Sequence, residues 1–81
     1  MSDETVTRLF DEQIARQWDW SQAHSRALPD LRQAVADAVA GHLDEPGLAA
    51  VARRVTGNHD AGRVLAEQCR AVVRTARLGE S

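Results

Sequence analysis

Residues 62–78 read GRVLAEQCRAVVRTARL, and the spacing inside that run decides the fold. At about 100° per residue, Arg63, Arg70, Arg74 and Arg77 fall within roughly 60° of one another on an α-helix. Leu65, Cys69, Val72 and Ala76 fall on the opposite side. Such a helix buries its aliphatic face against other elements and presents a cationic strip to whatever lies outside. The strip therefore predicts both a neighbour within the fold and a surface available to a partner.

Working back from this run, Asn58 or Asp60 can cap the last helix, which is expected to reach Leu78. Thr56-Gly57 ends the element before it, with Gly57 suited to the left-handed conformation past a helix C-terminus. That third helix opens at Asp44-Glu45-Pro46, because proline is well placed in a first helical turn. Its inward stripe is Leu48, Val51, Ala52 and Val55. A second helix is expected from Leu31 to His42, capped by Asp30 with Gln33 three residues on, as in a capping box. Leu31, Ala34, Val35, Ala38 and Val39 make its narrow apolar stripe, and Leu28-Pro29 makes the break before it. The first helix is expected from Asp3 to Ala27, with Val6, Leu9, Phe10, Ile14, Trp20 and Leu28 along one broad face. At 1.5 Å per residue it would be roughly 36 Å long. No window alternates apolar and polar residues as a strand does.

The expected fold is therefore all-α and a single domain over residues 1–81. It is a small four-helix bundle, long-short-short-long, with the first and last helices antiparallel. A domain of this size has a limited core. An overlong first helix with surplus apolar surface predicts a homodimer formed through that helix.

The net charge of −2 conceals a division. Residues 1–45 hold nine acids against four arginines, and residues 46–81 hold three acids against six arginines. A mildly acidic chain can thus carry a basic surface. All ten basic residues are arginine, for which a GC-rich coding sequence is explanation enough. Residues 1–15 carry Asp3, Glu4, Asp11 and Glu12 where a secretory leader would be basic and then apolar. No run approaches the roughly 20 apolar residues of a membrane span. One cysteine, Cys69, allows no internal disulfide. These features lead us to expect a cytoplasmic chain with no membrane contact.

The candidate chemistry is thin. His24, His42 and His59 lie on separate elements and lack the spacing of metal ligands. Cys69 points inward, where a thiol acts as a small hydrophobe. Asp11-Glu12 and Asp44-Glu45 suit helix ends better than acid–base catalysis. We find no glycine-rich phosphate loop and no nucleophile elbow, so the expectation is a non-enzyme with no cofactor and no metal.

Trp18-Asp19-Trp20 is the most distinctive local string. On a helix the two rings diverge by about 200°, so both could not enter one core. Trp20 fits the apolar face and Trp18 its margin, where it is either an interface anchor or a peripheral core residue. Gln13, Gln17 and His24 interrupt the same face. They would either meet their own copies across a symmetric helix pair or face solvent.

The arginine strip itself has three readings. It can be a solvated face with Glu67 pairing to Arg63 and Arg70, the dock for an acidic protein surface, or a phosphate-binding surface. A helix-turn-helix across Leu48–Ala66 is disfavoured by the polar break Gly57-Asn58-His59-Asp60 and by Gly62 at an expected packing position. The expected function is a non-catalytic protein–protein interaction module: an adaptor, regulator or accessory subunit. Its partner-binding residues are Trp18, Trp20, Arg63, Arg70, Arg74 and Arg77. The alternative is a nucleic-acid-associated regulator using the arginine strip.

Overall fold

A computed structural model describes residues 3–20 and 22–79. Its elements in order are α1 (Asp3–Phe10), a π turn (Asp11–Ala15), α2 (Gln22–Ser25), α3 (Leu28–Val39), α4 (Glu45–Thr56) and α5 (His59–Leu78). The described residues contain helices and no strand, and the fold is a small all-α bundle. The radius of gyration is 11.6 Å, close to the roughly 11.7 Å that size scaling gives for a compact chain of this length.

Helix α5 is the element on which the others meet. α1, the π turn, α3 and α4 all pack against it. Leu65, Cys69 and Val72 are 0% exposed and Ala76 is 1% exposed, as the periodicity of residues 62–78 predicts. They join Phe10, Ile14, Leu31, Val35 and Leu48 in one continuous core. Every residue of the expected α3 stripe is buried. In α4, Leu48, Ala52 and Val55 are buried and Val51 is half-buried.

The two later helices begin and end on local signals. Asp44 caps α4 by accepting the Gly47 N–H at 2.9 Å. Gly57 adopts φ 66° past its end, and its N–H reaches the Arg53 carbonyl at 2.9 Å. Asn58 caps α5 by accepting the N–H groups of Asp60 and Ala61 at 2.9 and 3.1 Å. Each bond satisfies a backbone group that a helix end leaves orphaned.

Helix α3 differs from expectation at both ends. It starts at Leu28, with Pro29 inside its first turn and Ala27 as an N-cap that lends no side chain. Proline tolerates that position because a first-turn N–H needs no helical partner. Asp30 thus lies in the first turn and not at the cap, and Gln33 bonds Asp37 at 3.0 Å. At the far end Gly41 takes φ 83°. The Gly41 and His42 N–H groups return to the carbonyls of Ala38 and Asp37, a Schellman closure that leaves His42 outside the helix.

The expected first helix, Asp3 to Ala27, is not one rod. α1 widens into the π turn, where the Arg16 N–H bonds the Asp11 carbonyl five residues back at 3.0 Å. The chain then leaves helical geometry through Trp18, Asp19 and Trp20. Val6, Phe10 and Ile14 are buried within the chain's own core, and Leu9, Trp20 and Leu28 are packed against it. Arg32 of α3 fastens this limb: its guanidinium pairs with Asp11 at 3.3 Å and lies 5.7 Å from the Phe10 ring centre. The length on which the expected self-pairing rests is thereby reduced, while Leu9, Trp18 and Trp20 remain only half-buried.

Candidate functional site

The four strip arginines lie along the outer flank of α5 and are all exposed. Arg63 and Arg77 are fourteen residues apart, so the strip runs roughly 21 Å along the helix. Glu67 pairs with Arg70 at 3.9 Å, and Glu45 of α4 reaches the same guanidinium at 3.9 Å. Arg63 does not make the pair with Glu67 that helical spacing allowed. Among the described residues, Arg63, Arg74 and Arg77 have no ion pair. The two Arg70 contacts are too long for hydrogen bonds and stand in solvent. Pairs of this kind contribute about 0–1 kcal/mol, so the strip keeps most of its charge available.

The strip borders two grooves between α5 and the elements beside it. The first has a volume of about 270 Å³, with a floor of Ala49, Gly62 and Ala66 and a rim that includes Arg53, His59 and Arg63. The second, of about 220 Å³, has Ala38, Leu48 and Val73 below and Arg74 and Arg77 at its edge. Glu45 and Arg70 line both.

Gly62 explains why the first groove exists. It is buried, and a Cβ built there would lie 2.7 Å from the Arg53 Cα. The backbones of α4 and α5 touch at this point. That contact sets Arg53 beside Arg63, with only small side chains beneath them. Gly62 is therefore a close-packing residue, where an apolar side chain was expected. The connection between the helices is also shorter than expected, since His59 and Asp60 are already helical and only Gly57 and Asn58 intervene.

Trp18 and Trp20 behave differently from their expected divergence. Both are half-buried, and their rings stack with centres 5.9 Å apart at an interplanar angle of 30°. The departure from helix at this point is what lets them meet. Trp18 Nε1 donates to Gln68 Oε1, and Trp20 Nε1 donates to the Ala15 carbonyl at 3.1 Å. Gln68 stands about 150° round α5 from the middle of the arginine strip. The tryptophan pair and the arginines thus belong to separate flanks of the molecule.

The remaining candidates are placed apart. Gln13 and Gln17 are exposed and His24 is half-buried in α2. His42 lies past α3 and His59 begins α5. Among the described residues no group of three or more His, Cys, Asp or Glu side chains is arranged to hold a metal. Burial pushes the Cys69 thiol up to about 12, so it stays protonated and unreactive near neutral pH. No described helix is long and apolar enough to cross a membrane.

Arg53, His59 and Glu45 were missed as site residues. They lie outside the α5 strip, and only the packing of α4 on α5 brings them to it. The one sequence signal that could have found them is Gly62, a glycine inside a strongly periodic helix. No protein-family model, curated protein or solved structure matches the chain.

Proposed function

We propose that this chain is a non-catalytic interaction module, an adaptor, regulator or accessory subunit, that docks an acidic surface of a protein partner through Arg63, Arg70, Arg74 and Arg77. The supporting observation is electrostatic. Three of the four strip arginines lack an intramolecular ion pair among the described residues, and the fourth has only two long, exposed ones. Guanidinium groups in a row suit carboxylates, which they grip through paired N–H donors. Trp18 and Trp20 form a second, apolar patch on the other flank. Their N–H groups are engaged within the chain, so docking falls first to the arginines.

A nucleic-acid reading uses the same strip, and the short α4–α5 connection favours it more than the sequence did. Acidic polyglutamate, duplex DNA and single-stranded DNA separate the two in a binding titration across salt. Replacing the four strip arginines by glutamine is expected to abolish polyglutamate binding by the chain. Retention of DNA but not polyglutamate at low salt, with a steep loss on raising salt, would reverse the assignment. Light scattering reports the oligomeric state in the same samples and so tests the homodimer expected through the first segment.

A further inference from the structure

The two α5 grooves share a wall, and that wall is an ion pair. Glu45 and Arg70 line both spaces, and their 3.9 Å contact stands between them. Neither groove, at about 270 and 220 Å³, reaches the roughly 300 Å³ at which small-molecule sites begin. Each therefore takes one apolar side chain in place of a whole cofactor. The floors are largely aliphatic. Guanidinium groups outnumber carboxylates on both rims: Arg53, Arg63 and Arg70 against Glu45 at the first groove, and Arg70, Arg74 and Arg77 against Asp44 and Glu45 at the second. That excess asks for an occupant with apolar groups flanked by carboxylates.

We propose that these grooves bind an acidic amphipathic helix of a partner protein, with one apolar side chain in each and carboxylates on the arginines. In the free protein Glu45 holds the position on Arg70 that a partner carboxylate takes over. This inference rests on the acidic-partner reading and goes further, to the shape of the partner. Between Ala66 and Val73 the helix rises roughly 10 Å, the distance between side chains seven residues apart on one helix face. A helix also places acids on both sides of its apolar stripe, which matches Arg53 on the α4 side of the first groove and Arg63 on the α5 side. A phosphate backbone would satisfy the rims and leave the aliphatic floors uncovered. A second copy of this chain is a poor occupant. Its α5 would set arginine against arginine, and the exposed face of α1 and the π turn alternates Glu4 and Glu12 with Arg8 and Arg16.

The test is fluorescence anisotropy on the intact chain with labelled helical peptides of about 18 residues, roughly 27 Å long. One is glutamate-rich with two leucines seven residues apart, and the second has serine in place of both leucines. Polyglutamate of equal charge and a duplex DNA complete the set. The leucine peptide is expected to bind roughly tenfold or more tighter than the serine peptide. Ala49→Leu, which fills the first groove from its floor, is expected to remove most of that advantage and leave polyglutamate binding unchanged. Glu45→Gln is expected to strengthen leucine-peptide binding up to about fivefold beyond Glu12→Gln, which changes net charge equally.

Equal binding of the leucine and serine peptides overturns the groove proposal and leaves the acidic-partner reading standing. That comparison needs no variant and holds even if Ala49→Leu fails to fold. Equal effects of Glu45→Gln and Glu12→Gln overturn the role given to Arg70. Tight DNA binding with no binding of any acidic peptide overturns both this proposal and the reading beneath it.

Discussion

The α4–α5 hairpin and the limb formed by α1, the π turn and the tryptophan segment are held by different kinds of interaction. The hairpin is specified locally. Asp44 and Asn58 cap its helices, Gly57 turns the chain, and the bonds involved join residues no more than four apart. The limb has no comparable stop signal. It ends in a π turn, and its conformation is fixed by Arg32 on Asp11 and by Gln68 on Trp18, partners that lie 21 and 50 positions away. The hairpin also carries the exposed arginine strip, while the limb, whose exposed charges alternate in sign, supplies the largest side chains of the core, Phe10 and Ile14. The lesson is a division of labour: the hairpin is shaped by its own sequence and presents the candidate surface, and the limb is shaped by distant partners on α3 and α5 and covers the core.

Phe10→Ala puts this comparison under the greatest strain. Removing a fully buried phenylalanine costs about 3–5 kcal/mol, a large part of the 5–15 kcal/mol typical of whole domains. Urea denaturation is expected to show the entire molecule losing stability by that amount. A loss confined to about 1 kcal/mol would mean that the limb is dispensable and the hairpin stands alone.

Gly62→Ala tests the hairpin from within. Helix propensity favours alanine by up to about 1 kcal/mol. Against this, the added Cβ would sit 2.7 Å from the Arg53 Cα, and overpacking of backbone against backbone costs about 1–3 kcal/mol. Sterics win, so a net loss of stability is expected in thermal unfolding. A stabilised variant would mean that α4 and α5 are farther apart than described, and both grooves would then be redrawn.

The smallest effect is expected from Trp18→Phe. It keeps an aromatic ring, smaller than the indole, and removes one hydrogen bond, which alone contributes about 0.5–1.5 kcal/mol. Hydrogen exchange should speed up in residues 3–20 before it does in α5. Uniform acceleration across both regions would erase the distinction drawn between them.

What could be read in the sequence follows the same boundary. The α5 stripe, the Asn58 and Asp44 caps and the Gly57 turn are all legible because each depends on neighbours a few residues away. The break in the first helix is not legible, because Trp20 and Leu28 continue in sequence the pattern that Val6, Phe10 and Ile14 begin. Nothing local announces that Trp18 and Trp20 find Gln68 and the Ala15 carbonyl as partners outside a helix. The arginine strip was legible as a face. Its grooves were not, since Arg53 and Glu45 come from α4, and their place beside α5 is decided by the contact at Gly62.

The tryptophan stack has an optical consequence. The chain has two tryptophans, one phenylalanine and no tyrosine, so its near-ultraviolet absorption above the phenylalanine bands arises from one stacked pair on the limb. Intrinsic fluorescence therefore watches the seating of Trp18 against Gln68, while amide circular dichroism is weighted towards the long helices of the hairpin. Two probes that in many proteins report the same event are here assigned to different halves. Any gap between their melting curves measures directly how tightly the halves are coupled.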